Sequence, residues 1–159
     1  MELETLASEV GHALKKHELK LATAESCTGG GAAQLVTAVA GSSAWFDRGF
    51  VTYTNVSKRE MLGVKTTTLS RFGAVSEQTA REMADGAIAH SHAQVALAIT
   101  GIAGPSGGTP EKPVGMVCFA WAGKKRATKS VKHHFTGDRE AVRRQSIAVA
   151  LQGLLEFLR

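Results

Sequence analysis

Residues 93–101 read AQVALAITG, with only Gln94 and Thr100 polar. A stretch this apolar predicts a central strand covered on both faces, because a strand open to water on one side would alternate apolar with polar residues. Covering both faces takes helices on both sides. The residues around this strand are patterned to supply them.

Upstream, Ser76 is placed to cap a helix with Glu77 in its first turn, where an acid suits the helix dipole. Ala80, Met83, Ala84, Ala87 and Ile88 make its buried face. Farther back, LKLATAES (19–26) reads as a short strand and GGGAAQLVTAVAG (29–41) as a helix that starts among glycines and ends at Gly41. AWFDRGFVTYT (44–54) has the bulky, β-branched content of a strand, and NVSKREMLG (55–63) reads as a short helix with Asn55 as its cap. The first residues carry a helical stripe at Leu3, Leu6, Ala7, Val10 and Leu14.

Downstream, IAGPSGGTPEKPVG (102–115) holds all three prolines and is too rich in glycine for regular structure. MVCFAWAG (116–123) and KKRATKSVKHH (124–134) suit two strands of a hairpin around Gly123. A long helix follows Gly137, with Ala141, Val142, Ala148, Val149, Leu155 and Leu158 available for packing. Strands interleaved with helices predict an α/β fold: a three-layer α/β/α sandwich around a mixed, mostly parallel sheet of about five strands, one domain over residues 1–159.

Composition narrows the function classes. The chain has 159 residues, 43% hydrophobic and 21% charged, an ordinary globular balance. No apolar run approaches the roughly 18–20 residues of a spanning helix, and the N-terminus begins acidic and amphipathic, unlike a secretory signal. A cytoplasmic protein with no membrane contact is the expectation. Cys27 and Cys118 are far apart with no CxxC spacing, so neither a disulfide nor a zinc site is expected. The net charge of +5 suits an anionic partner. Its main basic stretch alternates as a solvated edge strand does, where lysine guards against aggregation. One tyrosine and two tryptophans offer no platform for stacking bases, so a phosphorylated small molecule fits better than nucleic acid.

Four segments carry candidate chemistry. In TAESCTGGG (23–31) a strand ends at two adjacent nucleophiles, Ser26 and Cys27, and turns through glycines into a helix. Backbone N–H groups at such a turn bind a phosphate or stabilise an oxyanion; the bland alternative is a plain strand-to-helix turn. The stretch is neither a Walker A loop, lacking its lysine, nor a GxSxG elbow. In RGFVTYTNVSK (48–58), Lys58 is a base for a serine if burial leaves it partly neutral, with Tyr53 to relay the proton or orient it. On spacing alone Lys58 is an ordinary surface helix lysine. None of the histidines has a better claim, since His12, His17, His90 and His92 fall on polar positions and His133 and His134 in the basic strand. Thr100 and Gly101 end the central strand and lead into the long Gly/Pro loop, the edge where open α/β sheets bind ligands. In GDREAVRRQS (137–146), Arg139 and Arg143 share a helix face and suit an anionic group, with a solvated face as the plain reading.

Taken together, TAESCTGG, GSSAWFDRGFVTYTNVSK, GAVSEQTA, ITGIAGPSGGTPEKPVG and FTGDREAVRRQ resemble, in order, the CinA C-terminal domain family. The resemblance implies an α/β/α sandwich that hydrolyses the carboxamide of nicotinamide mononucleotide (NMN) to nicotinate mononucleotide and ammonia in pyridine-nucleotide salvage. It implies no metal or other cofactor and a homo-oligomer, most simply a dimer. Carried over by motif, Ser26 is the nucleophile with Lys58 and Tyr53 activating it. Thr100 and Gly101 line the site beside the turn residues Thr28, Gly29 and Gly30, while Ser42, Ser43, Arg48 and Arg143 or Arg144 are candidates for holding the nucleotide. A non-catalytic nucleotide-binding or protein-interaction module remains the alternative.

Overall fold

The central strand is more finely patterned than its apolar content suggests. Val95, Leu97 and Ile99 face one side of the sheet, Ala96 and Ala98 the other, and all are buried. Neighbouring strands keep the division: Leu21, Val117, Phe119 and Trp121 lie on the first face, Ala22, Ala24, Cys118, Ala120 and Ala122 on the second. Side chains alternate across a strand, so the sheet has one bulky face and one nearly flat one.

A computed structural model describes residues 2–159. Its strands are β1 (Leu21–Glu25), β2 (Phe46–Val51), β3 (Val95–Gly101), β4 (Met116–Gly123) and β5 (Arg126–His134). Its helices are α1 (Leu3–Lys16), α2 (Gly31–Thr37), α3 (Asn55–Leu62), α4 (Thr66–Phe72), α5 (Glu77–Ala89) and α6 (Arg139–Phe157). The sheet order is β2-β1-β3-β4-β5. β1 pairs in parallel with β2 and β3, and β4 runs antiparallel to both its neighbours, so β4 alone is reversed. The sheet is mixed and mostly parallel, as read from the sequence, with β5 as the basic edge strand.

The bulky face carries α1, α2 and α6 through Leu6, Val10, Leu14, Val36, Leu151 and Leu154. Each fully buried leucine or isoleucine there contributes about 1.5–3 kcal/mol. The flat face carries α5 through Ala80, Met83, Ala84 and Ala87, with Leu62 of α3 beside it. A Cβ added at Gly86 of α5 would lie 1.9 Å from the Leu62 carbonyl oxygen, so the two helices touch backbone to backbone. That contact fixes α3 against α5.

Local details depart from the sequence reading. The helix after the glycines starts at Gly31, because Gly29 and Gly30 adopt left-handed φ values of 59° and 99° and belong to the turn before it, and it ends at Thr37, short of the expected Gly41. Residues 42–44 then form a short 3-10 helix. Thr54, not Asn55, caps α3: its Oγ1 accepts the Ser57 N–H at 3.1 Å while Ser57 Oγ accepts the Thr54 N–H at 3.1 Å, a reciprocal capping box. Ser76 caps α5 as expected, its Oγ accepting the Thr79 N–H at 3.1 Å.

From β1 the chain crosses one face through α2 to reach β2, then crosses the other through α3–α5 to reach β3. The carboxyl ends of β1 and β3 therefore flank the point where the winding direction reverses. Crevices in open α/β sheets form there.

Candidate active site

At the end of β1 the sheet pattern gives way to a polar turn. Glu25 is buried, and its carboxylate accepts from Thr28 Oγ1 at 2.6 Å and from the N–H groups of Ala32 at 2.8 Å and Ala33 at 3.0 Å. The protein's own carboxylate thus occupies the N-terminus of α2, where a phosphate would otherwise be attracted. Ser26 donates its N–H to the Ile99 carbonyl at 2.9 Å, which ties the turn to β3, and its carbonyl accepts the Gly29 N–H at 3.0 Å. Among the described residues the N–H groups of Cys27 and Thr28 donate to no other residue, the Cys27 N–H facing its own sulfur. Burial pushes the Cys27 pKa up to about 12, so its sulfur stays a protonated thiol.

Lys58 is 1% exposed. The capping box starts α3 immediately beyond β2, and one turn later Lys58 projects under the sheet edge. Its Nζ donates to Ser26 Oγ at 3.0 Å and to the Thr52 carbonyl at 2.9 Å. No carboxylate pairs with it among the described residues, whose one ion pair is Arg48 with Asp47. Burial without a counter-charge pulls its pKa below the ordinary lysine range. The surface-lysine reading fails for a tertiary reason: α5 and the sheet cover this side of α3.

A cavity of about 200 Å³ opens onto Ser26, framed by Lys58, Thr100, Gly101, Val75, Tyr53 and Arg139. Thr100 lines it while donating its hydroxyl to the Ala74 carbonyl at 2.8 Å. Tyr53 stands at the mouth, 58% exposed, its hydroxyl accepting from Arg139 Nη2 at 2.9 Å. Arg139 also donates through Nη1 to the Gly104 carbonyl at 2.8 Å, bridging Tyr53 and the Gly/Pro loop. No hydrogen bond joins Tyr53 to Lys58 or Ser26; the Thr52 carbonyl is what orients the lysine.

The other expected binding residues are distributed differently. Thr28 is buried beneath the turn, Gly29 is exposed on it, and a Cβ on Gly30 would meet Val51 at 3.4 Å. Arg143 donates from Nη2 to the Thr28 carbonyl at 3.1 Å rather than reaching the cavity, and Arg144 is exposed. Ser42 and Ser43 precede β2, and Arg48 sits early in it opposite Ala22, bonded to Asp47 Oδ2 at 2.8 Å and the His90 carbonyl at 3.3 Å. These three lie toward the amino-terminal edge of the parallel strands, so a single chain does not bring them to Ser26.

Two participants are absent from the sequence reading of the site, Glu25 and the Thr52 carbonyl, while Arg139, read there as a candidate for an anionic group, walls the cavity. Glu25 had a signal, an acid closing an otherwise uncharged strand. The Thr52 carbonyl had none, because every residue carries one.

Fold and site together define a class, an α/β/α protein with a serine–lysine pair at the switch point of its sheet. The model of the CinA C-terminal domain matches residues 3–158, and the chain belongs to that family. It is 53% identical over 153 residues to the nicotinamide-nucleotide amidohydrolase PncC of Escherichia coli (strain K12), covering 96% of this chain and 93% of that protein. It is 49% identical over 155 residues to the protein of the same name from Pseudomonas putida, covering 98% and 96%. Among solved structures, the competence/damage inducible protein CihA from Agrobacterium tumefaciens superposes with a TM-score of 0.97 at 46% identity, covering 99% of this chain and 96% of that one.

Proposed function

We propose that this protein hydrolyses the carboxamide of NMN, releasing nicotinate mononucleotide and ammonia in pyridine-nucleotide salvage, through an ester formed on Ser26. The activity rests on relatives about half identical over nearly the whole chain that are named nicotinamide-nucleotide amidohydrolases. The observation that carries the mechanism is the buried Lys58 amine 3.0 Å from Ser26 Oγ with no counter-charge.

In the neutral form that burial favours, Lys58 takes the hydroxyl proton as Ser26 Oγ attacks the amide carbon. The N–H groups of Cys27 and Thr28, which no other residue engages, are the donors for the resulting oxyanion. When the intermediate collapses, the C–N bond breaks and Lys58 returns the proton to the departing ammonia. A water then attacks the ester, giving up a proton to Lys58, and Ser26 leaves as the free hydroxyl. The positive pyridinium ring withdraws electrons from the amide, which favours NMN over nicotinamide.

The cavity is smaller than the roughly 300–1,000 Å³ of typical ligand pockets. It suits the carboxamide-bearing ring and leaves the ribose phosphate at the mouth, where Arg139 has donors to spare beyond its bonds to Tyr53 and Gly104. Tyr53 then serves at the mouth, holding Arg139, rather than as a proton relay. The reading includes a cytoplasmic homo-oligomer; the exposed Val51, Tyr53, Val56 and Met61 cluster within eleven residues of sequence and offer an apolar surface for a second copy. An ammonia-release assay with NMN, nicotinamide and NAD tests the activity. Turnover of NMN above the others is expected, and tight NMN binding without ammonia release would instead identify a non-catalytic binding module.

A further inference from the structure

The turn that carries the oxyanion donors is built of residues with little rigidity of their own. Between Ser26 and Gly31 stand two left-handed glycines, and nothing within the turn besides the Gly29 and Gly31 N–H bonds to Ser26 and Thr28 holds its peptide planes. Thr28 is gripped from outside on two sides. Its hydroxyl donates to Glu25 at 2.6 Å, and its carbonyl accepts from Arg143 Nη2 at 3.1 Å as well as from the Gly31 N–H at 2.9 Å.

The approach of Arg143 is built into both partners. A Cβ at Gly29 would lie 3.3 Å from Arg143 Nη2, so the guanidinium lies close over a position that holds glycine. Arg143 is partly buried: its Nε is enclosed with no hydrogen-bond partner among the described residues, and its Nη2 has the Thr28 carbonyl as acceptor. Arg143 lies one helical turn beyond Arg139 on α6, so the same helix face reaches the cavity mouth with one arginine and the back of the turn with the next.

We infer that Arg143 is a positioning residue for the oxyanion turn: by holding the Thr28 carbonyl it fixes the Thr28–Gly29 peptide, and through that peptide the turn that carries the Cys27 and Thr28 N–H groups proposed as donors. This rests on the acyl-transfer reading above and assigns Arg143 to the turn instead of to the nucleotide. A slackened turn misplaces donors that act only on the charge developing in the transition state, and misplacements of about 1 Å cost on the order of 10²-fold in rate.

The test uses Arg143→Gln and Arg143→Lys in the full chain, with kcat and KM for NMN and for its thioamide analogue, and hydrogen exchange over residues 26–31. In Arg143→Gln, kcat for NMN is expected to fall roughly 10- to 100-fold with KM within about twofold. The preference for amide over thioamide should shrink, because sulfur makes poor use of the same donors. Exchange over residues 26–31 should quicken while that of β3 stays unchanged. Arg143→Lys, which keeps a charged donor, should recover part of kcat. Unchanged kcat, or a raised KM with kcat intact, would overturn the inference and return Arg143 to substrate contact. So would unchanged exchange in the turn, a readout that needs no turnover. Absence of ammonia release by the unmodified protein would defeat the proposed activity instead, leaving the exchange measurement to judge the brace.

Discussion

The two ends of the parallel strands carry similar residue types and treat them in opposite ways. At the carboxyl end, Ser26, Glu25, Thr100 and Lys58 are buried and each has a named partner. Toward the amino end, Arg48 is exposed and paired with the adjacent Asp47, and Ser43 is exposed. A lysine or serine in water is inert; desolvation and a fixed partner are what change its chemistry. The contrast shows that a fixed partner, not residue type or burial alone, sets Ser26 and Lys58 apart: Ser42 is buried too, while Tyr53 and Arg139 at the cavity mouth are exposed.

Substitutions at the two ends should separate accordingly. Ser26→Ala is expected to lower ammonia release from NMN by about 10³-fold or more, whereas Cys27→Ala should keep much of the activity because its buried thiol stays protonated. Comparable losses from both would erase the distinction between the two neighbours.

Lys58→Met should cost about 10²- to 10⁴-fold in kcat, and the pH–rate profile of the unmodified protein should rise with an inflection below 10.5, the ordinary lysine value. The stability effect has the opposite sign. As pH falls from above 10.5, the unfolded chain takes up the lysine proton before the folded chain does, so folded stability declines down to the lowered pKa. Lys58→Met removes that decline. Its Tm relative to the unmodified protein should therefore be higher at pH 7 than at pH 11, a sign that a surface lysine would not produce.

Glu25→Gln tests the carboxylate under the turn. It removes a charge that three donors share, and a loss of about 1–3 kcal/mol is expected, or roughly 2–10 °C in Tm. Arg139→Gln at the mouth should raise KM for NMN about 10- to 100-fold with a smaller change in kcat. At the far end, Ser43→Ala and Arg48→Ala should leave kcat and KM within about twofold in a monomeric preparation. An effect seen only in the oligomer would mean that a second copy carries these residues to the site.

The architecture was largely readable because it depends on local periodicity. The continuous apolar run over 95–99, the helical stripe of α1 and the Ser76 cap each reflect forces acting within a few residues. The reading failed where a neighbour decides. The seven-residue α4, TTTLSRF, has no apolar stripe to announce it, and α2 is shortened by two glycines whose φ values the turn requires. The site was legible as motifs but not as contacts. Ser26 and Lys58 stand 32 positions apart, and no local pattern states that one meets the other.

By itself the sequence determined the layer count, the five strands and every helix but α4, and it marked the two segments that hold Ser26 and Lys58, since these follow from side-chain pattern and local turn chemistry. Tertiary structure alone decided that Lys58 is dry, that Glu25 fills the start of α2, and that Arg139 faces the cavity while Arg143 braces the turn. The physical reason is that burial and partner distance belong to the packing of α3 and α6 against the sheet edge. A pKa or an aimed N–H depends on what stands within a few ångströms, and the chain settles that only when distant segments meet.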